Sequence, residues 1–317
     1  MVDLGFTEGL SKFNKMCSKI SVVVGILLFI SCGADKQPDS RDTPVKGSIH
    51  ISVDESFQPV IEEQLKVHHA SFPNTEIRVT YQSEAACLRD LQEDSTRMVV
   101  VARGLTDDEA EGYQKYLSFK PIYGILAYDA IAVLISRNRK DSLFTLQQLT
   151  DILNGNNPVP AVMDGLRATS TVRFLQDSLL KGGPFGKNVV GVENSKAVVE
   201  AIKKNPDAIG FVGMSWVGDV YDKQQQAYQQ QIAMARLECT QCEEKGIFAK
   251  PSQATITYGQ YPLARPLYYI LKENWAGLGT GFMNFMSLER GQLIFRRAFL
   301  APAKIDFRVR SGKIKEQ

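Results

Sequence analysis

Short apolar runs alternate with helix-like segments along most of this 317-residue chain. Residues 48–53 have the pattern of a strand, and residues 58–70 follow with apolar side chains at helical spacing. The run at residues 98–102 is wholly apolar, which is typical of a parallel strand that is buried on both faces. Because strand and helix alternate repeatedly, the sequence predicts an α/β fold.

The alternation begins again after residue 128, and this repetition predicts two lobes. The further predicted strands lie at residues 77–81, 130–135 and 208–212, and the further predicted helices lie at residues 84–94, 146–153, 170–180 and 195–204. The polar segment 222–231 is predicted to be mobile, and residues 282–286 and 293–299 provide the apolar faces of two helices. With 44% hydrophobic residues, a chain of this length can bury one or two cores.

The N-terminus has the layout of a signal peptide. Lysines precede an apolar run at residues 20–30, which ends at Ser31 and Cys32. That run is too short to span about 30 Å of hydrocarbon comfortably, and the small residue before Cys32 favours cleavage. The sequence therefore predicts a signal peptide at residues 1–31, and an uncleaved anchor helix is the alternative.

Cys32 is the candidate lipid-attachment residue. The stretch 29–32, Phe-Ile-Ser-Cys, resembles the lipobox of bacterial lipoproteins, which implies that the cysteine is acylated and becomes the new N-terminus. Residues 32–46 are almost entirely polar, and such a composition does not repay the entropy of ordering. We therefore expect a flexible tether, and a protein held at a membrane in the periplasm or at the cell surface. Translation starts at Met1 or at Met16, because a normal signal peptide opens at either residue.

The charge balance and the missing motifs exclude several function classes. Lysine plus arginine number 37 against 35 aspartate plus glutamate, so the chain lacks the clustered basic excess expected of a nucleic-acid-binding protein. Only three histidines occur, and there is no G-x-S-x-G elbow, P-loop or H-E-x-x-H motif. His68 and His69 are expected on a solvated helix face. The sequence therefore predicts a protein without enzymatic activity, cofactor or metal site.

Cys239 and Cys242 are the one cysteine pair with a chemical spacing. A structural zinc ion would need two further ligands close by, and no second pair exists. Outside the cytoplasm, a local disulfide is the better interpretation. Cys87, on the apolar side of a predicted helix, is expected to be a buried thiol.

Five short motifs together resemble a known transporter family. In chain order they are Ser56-Phe57-Gln58-Pro59, Tyr128-Asp129-Ala130-Ile131-Ala132-Val133, Ala208-Ile209-Gly210-Phe211, Tyr261-Pro262-Leu263-Ala264-Arg265-Pro266 and Glu289-Arg290-Gly291-Gln292. In this order and spacing they resemble the substrate-binding protein of the Pst phosphate transporter, especially the lipoprotein branch found in Bacteroidetes. The resemblance covers about residues 47–302 and implies a two-lobed periplasmic-binding-protein fold of the second topological type.

The same resemblance implies a ligand, a partner and a division into lobes. The ligand is phosphate or a similar oxyanion in the cleft between the lobes, and the partners are the permease subunits of an ABC importer. We assign residues 47–127 and 257–317 to lobe I and residues 128–256 to lobe II, and we expect a monomer. A non-transport lipoprotein of the same fold, acting as an anion sensor, adhesin or scaffold, is the alternative.

Two places in the sequence offer hydroxyl groups or nearby backbone amides as hydrogen-bond donors to a dehydrated anion. Ser56 and Phe57 lie between the first strand and a helix, and an ordinary helix N-cap is the alternative role for Ser56. Thr169, Ser170 and Thr171 precede an apolar helix face, where they could both cap the helix and donate to a ligand. The family's turn at this place carries an arginine followed by Ser-Gly-Thr, which these residues match in part.

Charged residues near these places are further candidates. Arg103 ends the apolar third strand, at the edge of the sheet that faces the cleft, and a surface ion pair is its alternative role. Many family members have Ser-Asp near here, where the aspartate accepts the proton of a protonated phosphate. Arg103 would instead favour the more highly charged anion, so affinity should hold or rise from about pH 6 to 8. Glu84 is the alternative acceptor, and Arg167 and Arg173 are two further guanidinium groups for the cleft.

Overall fold

The first part of the chain forms an α/β unit around a parallel sheet. The computed structural model describes residues 41–165 and 169–304. The elements of this part are β1 (Gly47–Asp54), α1 (Gln58–Ser71), β2 (Thr75–Gln82), α2 (Glu84–Asp90), β3 (Thr96–Val101) and α3 (Asp107–Leu117). The first strand, β1, is paired in parallel with both β2 and β3. This is the repeated strand–helix order that the sequence predicts.

The middle of the chain forms a second α/β unit. Its elements are β4 (Ile122–Ser136), β5 (Leu143–Phe144), α4 (Leu146–Asn154), β6 (Ala161–Asp164), α5 (Ser170–Ser178), β7 (Val189–Val192), α6 (Ser195–Lys204), β8 (Ile209–Gly213), α7 (Lys223–Gln229), β9 (Ile232–Met234), β10 (Arg236–Glu238), β11 (Phe248–Ala249) and α8 (Gln253–Thr257). Strand β6 pairs in parallel with β7 and β8. Gly155 ends α4 at a φ of 87°, a left-handed conformation that favours glycine.

The last described part of the chain returns to the first unit. Its elements are β12 (Ala264–Leu271), α9 (Leu278–Ser287), α10 (Glu289–Arg297) and β13 (Ala301–Pro302). Strand β12 lies antiparallel between β3 and β4, and α10 contacts α1. Within residues 41–165 and 169–304, no helix combines the length and the hydrophobicity needed to cross a bilayer.

The long strand β4 joins the two units into one mixed sheet of ten strands. Its first half pairs with β12, and its second half pairs with β8 and β9. We call the unit around β1 lobe I and the unit around β6 lobe II. The chain passes between them along β4 and again at the start of β12. Tyr261 and Leu263 still pack in the core of lobe II, a few residues beyond the boundary predicted at residue 257.

Each lobe has a hydrophobic core of its own. The core of lobe I includes Ile51, Val53, Phe57, Phe282 and Phe295. The core of lobe II includes Ile131, Val133, Leu175, Val199 and Phe211. All of these side chains are fully buried, and truncating such a residue to alanine typically costs about 2–5 kcal/mol. Because each lobe is stabilised by its own hydrophobic core, its fold does not depend on apolar contacts with the other lobe. The surfaces that meet between the lobes can therefore be polar.

One local prediction is wrong. His68, expected on a solvated face, is only 1% exposed. Three aromatic rings lie within 5.2 Å of its ring, between centroids: Phe72, Phe282 and Phe285. The local pattern could not show this burial, because the helix α9 that covers His68 comes from the far end of the chain. The segment 222–231, predicted to be mobile, contains helix α7, whose first turn is capped by the side chain of Asp222.

The end of the predicted tether packs against lobe I. Asp42 Oδ2 accepts a hydrogen bond from the backbone N–H of Leu278 (2.5 Å) at the start of α9, and Asp42 Oδ1 pairs with Arg97 (3.3 Å). A Cβ atom at Gly281 would overlap the carbonyl oxygen of Pro44, so only glycine allows this close approach. Residues 42–46 therefore belong to the folded body rather than to a flexible tether.

Candidate ligand-binding site

The carboxyl ends of β1 and β6 bring together residues that are distant in the sequence. Strand β1 ends at Asp54, and the turn Glu55–Phe57 follows, in which Ser56 N donates to Asp54 Oδ1 (2.9 Å). Strand β6 ends at Asp164, and α5 begins at Ser170. The hydroxyl oxygens of Ser56 and Ser170 lie 3.3 Å apart, although the residues are separated by 114 positions. The site therefore forms where parallel strands end, which is where α/β proteins bind ligands.

Several hydroxyl groups converge on the carboxylate of Asp164. Four residues bear them, Ser56, Thr169, Thr171 and Ser195, and the hydroxyl oxygen of Ser170 lies 3.3 Å from that of Ser56; these five residues are here called the hydroxyl cluster. Three of them, Ser56, Thr171 and Ser195, donate to Asp164 Oδ2 over 3.3–3.4 Å, and Thr169 donates to Oδ1 over 3.3 Å. All but Thr169 are fully buried. These distances are at the long end of the hydrogen-bond range, so the hydroxyl groups can turn towards a better acceptor.

Two helices begin at the hydroxyl cluster. Thr169 caps α5 by accepting a hydrogen bond from Val172 N (3.2 Å), and Asn194 caps α6 by accepting one from Ala197 N (2.9 Å). The first backbone N–H groups of a helix have no partner within the helix, and the helix dipole places partial positive charge at this end. The arrangement is therefore suited to a negatively charged ligand.

A buried arginine supplies the positive charge of the site. Arg265, on β12, has a fully buried side chain; its Nε donates to Asp129 Oδ2 (2.9 Å) and its Nη1 donates to Ser170 Oγ (2.9 Å). The guanidinium carbon lies 5.0 Å from the centre of the Phe57 ring. Its second terminal nitrogen, Nη2, has no hydrogen-bond partner among the described residues. Because an unpaired buried donor is costly, this nitrogen is available to a ligand.

Three buried carboxyl groups surround this cation. Burial raises the pKa of Asp54, and burial together with repulsion from Asp54 and Glu55 raises the pKa of Asp164 to about 7. Burial also raises the pKa of Asp129, although the guanidinium of Arg265 opposes the shift. One oxygen of Asp54, Oδ2, accepts no hydrogen bond from the described residues. Burial also raises the pKa of Glu55, a fourth carboxyl group beside this cation. A site with one guanidinium and four carboxyl groups holds protons near neutral pH, so it suits an anion that carries protons of its own.

Glu84 and Arg173, both predicted to contact the ligand, contact each other. Arg173 Nε lies 2.5 Å from Glu84 Oε2, and Arg173 Nη2 lies 3.2 Å from Glu84 Oε1. Glu84 Oε1 also accepts a hydrogen bond from Ala102 N (3.0 Å) at the end of β3. The carboxylate predicted as a proton acceptor is therefore already occupied by three donors.

Arg103, predicted to supply the charge in the cleft, is paired with a carboxylate of lobe I and makes no hydrogen bond to the hydroxyl cluster among the contacts of the described residues. Its guanidinium forms two 2.8 Å hydrogen bonds with Glu109. The same carboxylate completes the capping box of α3 with Thr106, and these bonds hold the pKa of Glu109 at about 2. The pair is an ion pair within lobe I, which was the alternative role for Arg103, with Glu109 as the partner.

Sequence reasoning missed several groups of this site. Asp129 and Arg265 lie within two of the motifs that carry the family resemblance, but nothing local shows that they form a buried ion pair. Asp54 and Asp164 each end a strand, and Ser195 begins a helix. The one sequence signal for these three residues is therefore their place at the end of a strand or the start of a helix.

Some of the remaining candidate residues lie within the part of the chain that the structure describes, and others lie outside it. Cys32 and Arg167 lie outside the described residues. Cys239 and Cys242 are joined in a disulfide with an S–S distance of 1.99 Å. Cys87 is a free, buried thiol whose pKa is raised by burial, as its place on the helix predicted. Among residues 41–165 and 169–304, no group of three His, Cys, Asp or Glu side chains is placed to hold a metal ion.

Comparison with known proteins gives a family and a set of distant relatives. A family model described as a PBP superfamily domain matches residues 39–289. The phosphate-binding protein PstS of Pseudomonas aeruginosa is 20% identical over 219 residues, which is 62% of this chain and 64% of that protein. This chain therefore matches less than two thirds of the length of that relative. The protein of the same name from Borreliella burgdorferi is 21% identical over 283 residues, or 83% of this chain and 91% of that protein.

Solved structures share the fold. A protein from Clostridium perfringens, described as a phosphate ABC transporter substrate-binding protein with bound phosphate, has a TM-score of 0.65 at 20% identity; the match covers 81% of this chain and all of that one. An ABC-type phosphate transport receptor from Vibrio cholerae has a TM-score of 0.59 at 17% identity, covering 80% and 99%. These similarities confirm the predicted two-lobed α/β fold.

Proposed function

Because the chain belongs to the PBP superfamily, whose domain model matches residues 39–289, we propose that it captures phosphate or a similar oxyanion for an ABC importer. The relatives and the solved structures named above are phosphate-binding proteins or phosphate-transport receptors. The single observation that carries the proposal is the buried guanidinium of Arg265, which keeps one nitrogen without a partner beside the hydroxyl cluster.

The donors of the site match the needs of a tetrahedral oxyanion. Arg265 Nη2 provides a charge-assisted hydrogen bond, and such bonds are about twice as strong as neutral ones. Ser170 and Thr171 stand in the first turn of α5, and their hydroxyl oxygens lie 3.3 and 3.4 Å from that of Ser56. Phe57 packs against the guanidinium and fixes its place. Together these residues surround an anion with donors from both lobes.

The carboxyl groups of the site favour an oxyanion that carries protons. A deprotonated Asp164 accepts the proton of a monoanionic phosphate, and a protonated Asp54 or Asp164 donates to an anion oxygen. Phosphoryl groups lose a proton near pH 6, so phosphate retains at least one proton at neutral pH. A fully deprotonated anion has no proton to share with a carboxylate of the site, so the two negatively charged groups would repel each other. We therefore expect phosphate and arsenate to bind more tightly than sulfate.

We place the protein outside the cytoplasm, as a monomer held at a membrane by a lipid on Cys32 after removal of residues 1–31. The basic, apolar and small-Cys layout of the N-terminus supports this location. The disulfide between Cys239 and Cys242 is consistent with it, because disulfides persist in oxidising compartments.

Calorimetric titration with phosphate, arsenate and sulfate tests the proposal. The wild-type protein should bind phosphate, and Arg265→Lys should weaken binding by about ten- to a hundredfold, since lysine keeps a charge for Asp129 but loses the fixed fork of donors. Ser170→Ala should weaken it by about two- to tenfold. Arg103→Lys, in a pair outside the site, is the matched control and should bind as wild type does.

The outcome that contradicts the proposal is equally direct. If the folded wild-type protein shows no heat of phosphate binding and no thermal stabilisation by phosphate, the proposal that it captures an oxyanion is wrong. Wild-type affinity in Arg265→Lys would remove Arg265 from the site.

A further inference from the structure

One buried ion pair crosses from lobe I to lobe II. Glu84 opens α2 in lobe I, and Arg173 lies in α5 of lobe II, 89 positions further along the chain. The two N–O distances, 2.5 and 3.2 Å, describe a guanidinium that grips both carboxylate oxygens. Neither residue hydrogen-bonds to the hydroxyl cluster in any contact of the described residues.

The surroundings of this pair allow it to hold the lobes together. Burying two charges stabilises a structure only where the geometry is good and further hydrogen bonds satisfy the ions. The Glu84 side chain is 3% exposed and accepts a third bond from Ala102 N, whereas the Arg173 side chain keeps 32% of its surface in solvent. The desolvation cost therefore falls mainly on Glu84, whose carboxylate is fully satisfied while the lobes are in contact. Separating the lobes removes two of its three donors.

Other hydrogen bonds also connect residues of lobe I directly to residues of lobe II. Glu55 of lobe I accepts hydrogen bonds from the N–H (3.2 Å) and the hydroxyl group (2.9 Å) of Ser195, at the start of α6. Ser215 of lobe II donates to the carbonyl oxygen of Ser56 (2.7 Å). The lobes therefore meet through bonds that the chain makes with itself. Asp219 of lobe II and Arg297 of lobe I also approach each other, but over 3.9 Å and with the arginine side chain 59% exposed, whereas Glu84 and Arg173 are in close contact through two hydrogen bonds.

We infer that Glu84 and Arg173 form an interlobe latch, which sets the affinity for the anion by holding the lobes closed rather than by touching the ligand. This inference takes only the identity of the ligand from the proposed function. When a ligand binds one of two conformations, its apparent affinity is proportional to the fraction of protein in that conformation. Loss of the latch lowers the closed fraction, so it weakens binding and shortens the lifetime of the complex.

The test compares three variants in a double-mutant cycle: Glu84→Gln, Arg173→Met and the two combined. Small-angle X-ray scattering of each ligand-free protein measures whether the lobes separate, and calorimetry and stopped-flow dilution measure the Kd and the dissociation rate of inorganic phosphate. Arg103→Met is the matched control, because it breaks an equally close arginine–glutamate pair that lies within lobe I.

We expect Glu84→Gln and Arg173→Met each to enlarge the radius of gyration of the ligand-free protein. Each should also weaken phosphate binding by about tenfold, with most of the change in the dissociation rate. The double variant should be no weaker than the weaker single variant, because both remove the same pair. The Arg103→Met control should keep the wild-type radius and Kd.

Two results would overturn the latch: an unchanged ligand-free radius in both single variants, or additive losses of affinity in the double variant. Additive losses would mean that each residue contacts the ligand independently. If the wild-type protein binds no phosphate, the proposed function fails, but the scattering comparison still decides whether the pair holds the lobes together.

Discussion

At the residue scale, we predict that Asp164 makes ligand binding depend on protons. Its carboxylate lies among four donating hydroxyl groups, and burial with nearby Asp54 and Glu55 raises its pKa to about 7. A bound anion raises the proton affinity of a neighbouring carboxylate further, because like charges repel. We therefore expect binding to be accompanied by proton uptake wherever Asp164 is deprotonated in the free protein, which means above about pH 7.

Phosphate affinity should consequently fall as the pH rises from 6 to 8, by up to about tenfold for each pH unit above the pKa of Asp164. This is the reverse of the rise expected from Arg103, which pairs with Glu109 instead. Calorimetric titrations at both pH values, in buffers of different ionisation enthalpy, measure the Kd and the protons taken up. The Kd of Asp164→Asn for phosphate should depend less on pH. The comparison separates the contribution of Asp164 from that of the titration of phosphate itself. An equal or tighter Kd at pH 8 in the wild-type protein would rule out this role for Asp164.

Helix N-termini, at the scale of the elements, are used in two different ways. The N-terminus of α9 is neutralised by the chain itself: Glu273 accepts bonds from Gly279 N (2.9 Å) and Thr280 N (2.7 Å), and Asp42 accepts one from Leu278 N. The N-terminus of α6 is likewise occupied, because Glu55 accepts bonds from Ser195 N (3.2 Å) and from its hydroxyl group (2.9 Å). The N-terminus of α5 instead opens on the hydroxyl cluster, and it is the helix end that we propose for the ligand.

Two glycines in helices should respond in opposite ways to alanine. In Gly281→Ala the new methyl group would overlap Pro44 O, so we expect a loss of about 1–3 kcal/mol in the free energy of unfolding as residues 42–46 are displaced. In Gly112→Ala, in α3, the methyl group meets nothing within 4 Å, so we expect a gain of about 0.5–1 kcal/mol from helix propensity. Urea denaturation of both variants measures the difference. Equal gains in the two variants would show that the segment does not pack against α9.

At the scale of the whole molecule, the sequence predicted those parts of the fold that depend on the local pattern of residues. Helix α6 occupies residues 195–204 as predicted, because its apolar side chains recur at helical spacing and Asn194 is a good cap. The pairing of Asp129 with Arg265 was not predictable, because it depends on how β4 and β12 lie side by side. The partner of Arg103 was not predictable for a similar reason: its position at a strand end suggested the cleft, but Glu109, which the capping box of α3 holds in place, pairs with it.

Attachment to a membrane is a property of the whole molecule that the N-terminus predicts. Cys32→Ser should remove the acylation site, so the protein should leave the membrane fraction or accumulate with its signal peptide uncleaved. Fractionation of cells and intact mass spectrometry of the purified protein measure both effects, and a conservative change elsewhere in the N-terminal segment, such as Ser40→Ala, is the control. Membrane retention and an unchanged mass in Cys32→Ser would contradict lipidation.

Arg265 and Asp129 are direct neighbours across β12 and β4, the two strands along which the chain passes between the lobes. If the lobes rotate about these strands, the guanidinium lies close to the axis and is displaced least. A ligand bonded to Arg265 would then stay in place while the lobes separate. Uncovering the anion and breaking its bond to Arg265 would be two separate steps. A partner that receives the anion would have to compete for that last bond and not merely hold the lobes apart.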